Sequence, residues 1–350
     1  MRKALLPIVV LPLMLFCRSP RHADAETGEH DGVAGAPEGV QAASPEQPCA
    51  PEPEDWDARW IVEPQAAESS TPNSWFCFRT RGTLRARPHL ARARIAADSK
   101  YWLWINGRLI VFEGALKRGP TPHDTYYDEI PLRDHLVRGE NTIAILLWFF
   151  GKDGFSHKSS GMPGLLFQAE IDDTTLVSDR TWRAMRHPSY SDTEAPHPNY
   201  RLSESNVRFD ARSDMPSWTG IDFDDSAWPQ AAEAGRPPTP PWNLLIPRPT
   251  PLWEFSEIRD YVNENEFPRF SDGERIAARL PHNMAVTPYV EVDAREGQVI
   301  RLRTDSYGHH DKSFNIRAEY ITRPGLQQYE ALAYMTGHEV YYPGYFTRES

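Results

Sequence analysis

The sequence contains few cysteines, and its basic residues are outnumbered by acidic ones. Only 3 cysteines occur among 350 residues, and their spacing does not match that of a zinc site. The 49 aspartates and glutamates exceed the 38 lysines and arginines, which gives a formal net charge of −11. Because nucleic-acid binding requires a basic surface, this balance argues against a nucleic-acid partner.

Motifs of several enzyme classes are missing as well. The chain has no glycine-rich phosphate loop and no G-x-S-x-G nucleophile motif. Glycoside hydrolysis requires two carboxylates that face each other across a sugar. The nearest approach to such pairs is Asp128 with Glu129 and Glu254 with Glu257. Neither pair lies in a pattern typical of catalysis, so we expect no catalytic residue in this chain.

The patterns that could bind a metal are weak. The adjacent histidines of "GHHD" at 308–311 would point to opposite sides of a strand. Asp222, Asp224 and Asp225 could ligate calcium through oxygen, but "IDFDDSAW" is more typical of an Asx turn. We therefore expect no metal site and no cofactor, with calcium as the alternative.

Prolines and tryptophans, by contrast, are abundant, at 32 and 11 residues. Many prolines favour loops and edge strands over long helices. Many tryptophans indicate either large cores or flat aromatic surfaces, and sugars are one class of ligand that stacks on such surfaces.

The N-terminus has the features of a targeting segment. A positive "MRK" precedes the apolar "ALLPIVVLPLMLF", which is too short to span a bilayer, and Ala23-Asp24-Ala25 offers a cleavage site. We predict that residues 1–25 are a signal peptide and that the protein is secreted or periplasmic, with no membrane span after cleavage. Lipidation at Cys17 and a retained N-terminal anchor are the alternatives.

A linker is predicted next, at residues 26–55, because this stretch is rich in Ala, Gly, Pro and Glu and lacks aromatic residues. Export would permit a disulfide between Cys49 and Cys77. Since Cys77 lies in an apolar strand, we expect it to be a buried thiol, and the pairing of the two cysteines stays open.

Short strands with turn signals follow from Trp56 onwards. They predict an all-β protein with two antiparallel β-sandwich (jelly-roll-like) domains. Residues 56–235 would form a carbohydrate-binding-like β-sandwich. Its strongest local signal is Asn106-Gly107 between two apolar runs, which predicts a type I′ hairpin because both turn residues need positive φ.

A second sandwich domain is predicted at 253–350, after a proline-rich connector at 236–252. Val290 and Val292 alternate with charged residues, which is typical of a strand with one wet face. Because the sequence stops at Ser350 without a polar tail or helix cap, we expect this domain to be truncated at its C-terminus.

Strand direction places two polar loops at one end of the first sandwich. If the strand after Asn106-Gly107 runs upwards, the loops 113–124 and 151–163 both lie at the top. Binding sites gather on loops held by a rigid scaffold, so we predict carbohydrate binding there. The predicted binding residues are Trp104, Lys117, His123, Asp124, Asp153, His157, Lys158 and Ser160.

Each of these residues also has a structural interpretation. A monosaccharide would suit the loops, because its hydroxyls need donors and acceptors and its C–H face needs an aromatic ring. The alternative is a solvated loop in which Asp153 and the serines only cap turns. For Trp102 and Trp104 the alternative is packing in the core.

Several segments together suggest a family. The stretch "DSKYWLWINGRLIVFEGALKRGPTPHDTYYDEIPLRDHLVRGENTIAILLWFFGKDGFSHKSSGMPGLLF" resembles the N-terminal β-sandwich region of bacterial α-L-rhamnosidases. "RFDAR", "FDDSAW", "IPRPTPLW" and "PGLQQYEALAYMTGHEVYY" resemble later segments of the same family. The resemblance covers roughly residues 56–345. "WINGRLI" with "RGEN" alone is shared with sugar-binding sandwich domains of β-galactosidase-like hydrolases.

The resemblance implies a function but transfers no catalytic residue. In that family the acid and base carboxylates lie on an (α/α)6 barrel, and this chain has no run of long helices. The resemblance therefore implies a non-catalytic, carbohydrate-contacting N-terminal region of an α-L-rhamnosidase-like glycoside hydrolase, inactive by itself. The implied partners are a rhamnose-containing plant or microbial oligosaccharide or polysaccharide and a catalytic barrel on the same chain. The alternative is a scaffold that packs on the barrel and binds no sugar.

Overall fold

The computed structural model of the chain consists mainly of β-strands. It describes residues 7–10, 55–115, 119, 121–154, 157–194, 206–268, 275–306 and 317–342. Helix within these ranges is limited to α1 (Pro64–Glu68) and two 3-10 turns, Ala211–Ser213 and Glu264–Glu266. None of the described helices is long and apolar enough to cross a membrane. All described residues belong to one unit.

The described strands follow the chain in a regular succession. Up to residue 186 they are β1 (Pro7–Val10), β2 (Trp60–Val62), β3 (Ser74–Leu84), β4 (Ala91–Asp98), β5 (Lys100–Ile105), β6 (Arg108–Gly114), β7 (Thr125–Pro131), β8 (Gly139–Phe149), β9 (Gly164–Ile171), β10 (Thr174–Val177) and β11 (Arg183–Arg186). Beyond it they are β12 (Tyr190–Ser191), β13 (Asn206–Asp210), β14 (Ala232–Gly235), β15 (Leu245–Pro247), β16 (Ile258–Asp260), β17 (Ile276–Thr287), β18 (Tyr289–Ala294), β19 (Val299–Thr304), β20 (Arg317–Ile321), β21 (Gly325–Glu330) and β22 (Met335–Tyr342).

Two sheets form the first sandwich. The seven-stranded sheet has the order β14-β2-β9-β4-β7-β15, with β10 paired to β9, and the five-stranded sheet has the order β11-β3-β8-β5-β6. Their facing sides bury apolar residues such as Phe78, Leu103, Ile145 and Phe167. This arrangement confirms the predicted all-β fold.

Both outer faces of this sandwich are covered too. Outside the five-stranded sheet, Trp75 and Trp148 belong to an aromatic cluster that includes Trp218. Outside the seven-stranded sheet, Trp60 stacks on Trp242 with ring centroids 4.3 Å apart. A strand that is buried on both faces has a continuous run of apolar residues in its sequence. This double burial explains the uninterrupted "IAILLWFF" of β8 and gives most tryptophans a role in the core.

The second sandwich contains the remaining sheets. Its eight-stranded sheet has the order β12-β13-β20-β19-β22-β17-β1-β16, and β18 pairs with β21 in a two-stranded sheet. Ile300 and Leu302 of β19 are buried in the core between half-buried neighbours, so the alternation follows the predicted pattern.

Strands cross between the two sandwiches along the chain. β13 precedes β14 in sequence but joins the eight-stranded sheet, where it pairs in parallel with β20. β15 comes from the proline-rich segment and pairs in parallel with β7 of the first sandwich. The two sandwiches are therefore tied together by the chain itself rather than joined by one connector.

Local predictions are confirmed where the structure describes them. Asn106 and Gly107 have φ values of 52° and 79°, and they connect the antiparallel strands β5 and β6. Cys77 is fully buried in β3. Cys17 and Cys49 lie outside the described residues, as does nearly all of the predicted linker. β1 lies within the predicted signal peptide and pairs with β16 and β17, and the signal peptide stays a prediction.

Candidate functional site at the loop end of the first sandwich

The loop after β6 and the loop after β8 lie at the same end of the first sandwich. Lys100 pairs with Trp148 and Tyr101 pairs with Gly114, so β5 begins where β8 and β6 end. This register confirms the placement that strand direction predicts. We call this region the loop end.

A buried polar cluster anchors the loop that follows β8. The His157 Nε2 atom lies 3.2 Å from Asp98 Oδ1 and 3.0 Å from Ser99 Oγ. The Ser99 hydroxyl also donates to Asp98 Oδ1 at 2.9 Å, and the backbone N–H of Ser160 donates to Asp98 Oδ2 at 2.6 Å. The three side chains of Asp98, Ser99 and His157 are buried, so the cluster fixes the loop from beneath.

This cluster is not a hydrolytic triad. In such a triad the carboxylate and the hydroxyl contact different nitrogens of the imidazole ring. Here Asp98 and Ser99 both contact Nε2 of His157. Burial alone would raise the pKa of Asp98, but its interactions with His157 and Ser160 outweigh burial and lower that pKa. A buried Asp98 whose ionised form is favoured in this way is suited to holding the loop in place.

The tip of the same loop carries an exposed ion pair. Lys158 Nζ lies 2.6 Å from Asp153 Oδ2, and the two side chains are 54% and 56% exposed. The backbone N–H of Ser159 donates to Asp153 Oδ1 at 3.2 Å. The hydrogen bond from Lys158 lowers the pKa of Asp153. Both charges remain accessible to a ligand, although each is paired with the other.

His123 and Asp124 lie in a turn of the neighbouring loop. The Thr121 hydroxyl donates to Asp124 Oδ2 at 2.7 Å, so this carboxylate is used within the turn. The His123 carbonyl accepts a hydrogen bond of 2.9 Å from the Asn243 amide, while the side chain of His123 is exposed. Of these two predicted residues, His123 therefore presents its side chain and Asp124 caps the turn.

Trp104 does not lie at the loop end. It is next to the Asn106-Gly107 hairpin, roughly 13 Å along β5 from Lys100. Its ring is half-buried and packs edge-to-face on Trp218, with centroids 5.7 Å apart. The structure thus separates Trp104 from the other predicted residues, and Lys117 lies outside the described residues.

Sequence reasoning missed a buried ion pair at the loop end. The ammonium group of Lys100 forms an ion pair with the carboxylate of Glu113, and both side chains are at least nine-tenths buried. Lys100 Nζ also lies 5.7 Å from the ring centroids of Phe150 and of Tyr334, which precedes β22 of the second sandwich. The only feature of the sequence that indicates this ion pair is the lysine at the start of the apolar run "YWLW". This pair links the loop end of the first sandwich to the second sandwich.

Two of the three aspartates that could ligate calcium have partners within the chain. Asp224 accepts a 2.9 Å hydrogen bond from the backbone N–H of Ser226, as in the predicted Asx turn. Asp225 forms a 2.8 Å ion pair with Arg79, which is buried. Across the described part of the chain, no group of three or more His, Cys, Asp or Glu side chains is placed to hold an ion. The histidines at 308–311 lie outside that part.

Comparison with known proteins gives a consistent assignment. Residues 86–247 match the family model described as the α-L-rhamnosidase N-terminal domain. An α-L-rhamnosidase of Formosa agariphila is 26% identical over 245 residues, which are 65% of this chain and 24% of that protein. An α-L-rhamnosidase of an Alteromonas species is 24% identical over 267 residues, 71% of this chain and 27% of that protein. The chain spans about a quarter of the length of these curated relatives.

The comparison with solved structures agrees with this family match. The structure of an α-L-rhamnosidase from Dictyoglumus thermophilum aligns with a TM-score of 0.61 at 21% identity, covering 83% of this chain and 34% of that chain. The β-sandwiches of this chain thus have the fold of a region that is found in glycoside hydrolases. More particularly, residues 86–247 match the N-terminal domain of α-L-rhamnosidases, which confirms the resemblance found in the sequence.

Proposed function

We propose that this chain is the non-catalytic, carbohydrate-contacting N-terminal region of an α-L-rhamnosidase-like glycoside hydrolase. Its ligand would be a rhamnose-containing plant or microbial glycan, and its partner a catalytic helical barrel. The names of the curated relatives support the choice of rhamnose.

One observation carries the proposal of sugar contact. The loop that holds His157 is anchored from beneath by buried Asp98, while Asp153 and Lys158 at its tip remain more than half exposed. A carboxylate accepts and an ammonium donates hydrogen bonds, which together suit the hydroxyls of a monosaccharide. A loop that is held rigid loses little conformational entropy when it binds, so its exposed groups are preorganised.

Titration of the purified protein with L-rhamnose and a rhamnose-containing oligosaccharide tests this proposal. We expect saturable binding, measured by ligand-observed NMR, that weakens about tenfold or more in Lys158→Ala and in Asp153→Ala. Arg87→Ala is the matched control. Arg87 and Asp134 form an exposed ion pair of 3.1 Å, and Arg87 follows the end of β3 that lies away from the loop end. Equal weakening in the control would contradict a site at the loop end.

A scaffold that binds no sugar is the second candidate. The observation in its favour is that nine of the 11 tryptophans are buried. The other two, Trp104 and Trp253, are half-buried, so none offers a fully exposed ring for stacking. The same titration separates the two candidates, because a scaffold would show no saturable binding to either sugar.

A further inference from the structure

A cluster of arginines surrounds a buried carboxylate in the second sandwich, away from the loops described above. Arg208, Arg301 and Arg317 lie on the adjacent strands β13, β19 and β20, and all three contact Glu319. Their nitrogen atoms lie 2.7, 3.3 and 2.8 Å from the Glu319 carboxylate oxygens, in that order. The Glu319 side chain is completely buried.

Guanidinium groups are concentrated around this one carboxylate. Three of them contact Glu319, and Arg301 and Arg317 make further interactions as well. Burial alone would raise the pKa of Glu319, but hydrogen bonds from Arg317, the Glu194 backbone and Arg208 lower it to about 2. Glu319 is therefore ionised at neutral pH, and the guanidinium groups next to it favour contact with a second anion.

In this structure a side chain of the protein supplies that anion. Glu194 Oε1 lies 3.0 Å from Arg208 Nη2, and Glu194 Oε2 lies 3.1 Å from Arg301 Nη2. Each oxygen of one carboxylate thus contacts a different guanidinium, an arrangement that suits any carboxylate of similar reach. The Glu194 side chain is 53% exposed and that of Arg301 is 31% exposed, so solvent reaches the pair.

The backbone of Glu194 is held independently of its side chain. Its N–H donates to Glu319 Oε2 at 3.0 Å, and its carbonyl accepts a hydrogen bond from Arg317. The side chain can therefore rotate away while the segment stays attached to the sheet. Because the Glu194 side chain is more than half exposed, solvent partly screens its ion pairs with Arg301 and with the less exposed Arg208, and another carboxylate can compete for the two guanidinium groups.

We propose that Arg208 and Arg301 form a binding site for the carboxylate group of an acidic sugar, which displaces the side chain of Glu194. The choice of a sugar rests on the proposed function, whereas the carboxylate site follows from the geometry of the cluster. A carboxylate ligand would receive one hydrogen bond from each guanidinium, as Glu194 does now.

The test compares D-glucuronate with D-glucose, which differ at C6 by the carboxylate. Binding of each probe to the full chain is measured by ligand-observed NMR, for the unaltered protein and for Glu194→Gln. The substitution removes the competing charge, so we expect glucuronate to bind about tenfold more tightly and glucose to bind neither protein. Glu291→Gln on β18 of the same sandwich is the matched control and should leave the affinity for glucuronate unchanged.

Two results would overturn the inference. One is that Glu194→Gln binds glucuronate no more tightly than the unaltered protein does. The other is that glucose binds as well as glucuronate, which would remove the role of the carboxylate. Rhamnose is neutral, and its binding is expected to depend on Asp153 and Lys158. If rhamnose does not bind, the proposed function fails, but the binding of glucuronate to Arg208 and Arg301 is still tested by itself.

Discussion

At the scale of single residues, the polar side chains of the loop end fall into two groups. Asp98 and His157 are buried and bonded to each other, whereas Asp153 and Lys158 are exposed and paired in solvent. A buried polar group that loses its partner bears the cost of its desolvation, whereas an exposed ion pair contributes little. The first group therefore stabilises the fold, and the second remains available for contact with a ligand.

This division predicts different effects on stability. His157→Ala leaves the Asp98 carboxylate buried without the imidazole and should lower the free energy of unfolding by about 2–3 kcal/mol. Lys158→Ala should lower it by less than about 1 kcal/mol. Urea titration followed by circular dichroism measures both values. Equal losses in the two variants would show that His157 does not anchor the loop.

At the scale of elements, the local features were predictable from sequence and the long-range pairings were not. Asn106-Gly107 identifies its own hairpin because both residues need positive φ, which few residue types adopt. The parallel pairing of β13 with β20 joins residues more than 100 positions apart, and no local pattern encodes it.

The candidate site was predictable to the same limited extent. Strand direction placed the two loops together, because each strand crosses the sheet once. The burial of His157 and the bond between Lys100 and Glu113 depend on contacts between distant segments. Trp104 was assigned to the site because alternation predicts its face of the strand, but alternation does not predict its distance from the loops.

The Asn106-Gly107 hairpin leads to a prediction about the stability of the fold. An alanine side chain at Gly107 would meet only the Gly220 Cα atom at 3.6 Å, so the cost of Gly107→Ala comes from its φ of 79°. We expect a loss of about 1–2 kcal/mol. Gly82→Ala in β3 is the control, because a Cβ there meets nothing within 4 Å, and it should be neutral or slightly stabilising. Thermal unfolding of the two variants is the measurement, and a neutral Gly107→Ala would refute the assigned turn.

At the scale of the whole molecule, the two sandwiches share an aromatic junction. His187 follows β11 and lies 4.7 Å from the Tyr190 ring and 6.1 Å from the rings of Phe209 and Trp218. Tyr190 and Phe209 belong to strands of the eight-stranded sheet. Burial lowers the pKa of His187 from 6.5 to about 4, because the charged imidazolium is disfavoured in this apolar junction.

The lowered pKa of His187 predicts acid sensitivity. The unfolded chain binds a proton at His187 below pH 6.5, whereas the folded chain does so only below about pH 4. The contribution of neutral His187 to stability is therefore complete above pH 6.5 and is lost as the pH falls towards 4. The unfolding midpoint should fall less steeply over this interval in His187→Gln than in the unaltered protein. His123→Gln, at an exposed position, is the control, and identical slopes in all three proteins would contradict the assignment.

We propose that this chain contacts sugar without cleaving it. Four carboxylates of the loop end have partners within the chain: Asp98 contacts His157, Glu113 contacts Lys100, Asp153 contacts Lys158 and Asp124 accepts from Thr121. Glycoside hydrolysis requires a second carboxylate that faces the first across the sugar. Because each of these carboxylates is held by a group of the chain itself, we expect none of them to act on a glycosidic bond.

Hydrolysis of p-nitrophenyl α-L-rhamnopyranoside by the purified chain tests this claim most directly. A complete α-L-rhamnosidase serves as the positive control, and buffer with substrate serves as the blank. We expect no release of nitrophenol above the blank at any concentration of this protein. Release that rises in proportion to protein concentration would contradict it.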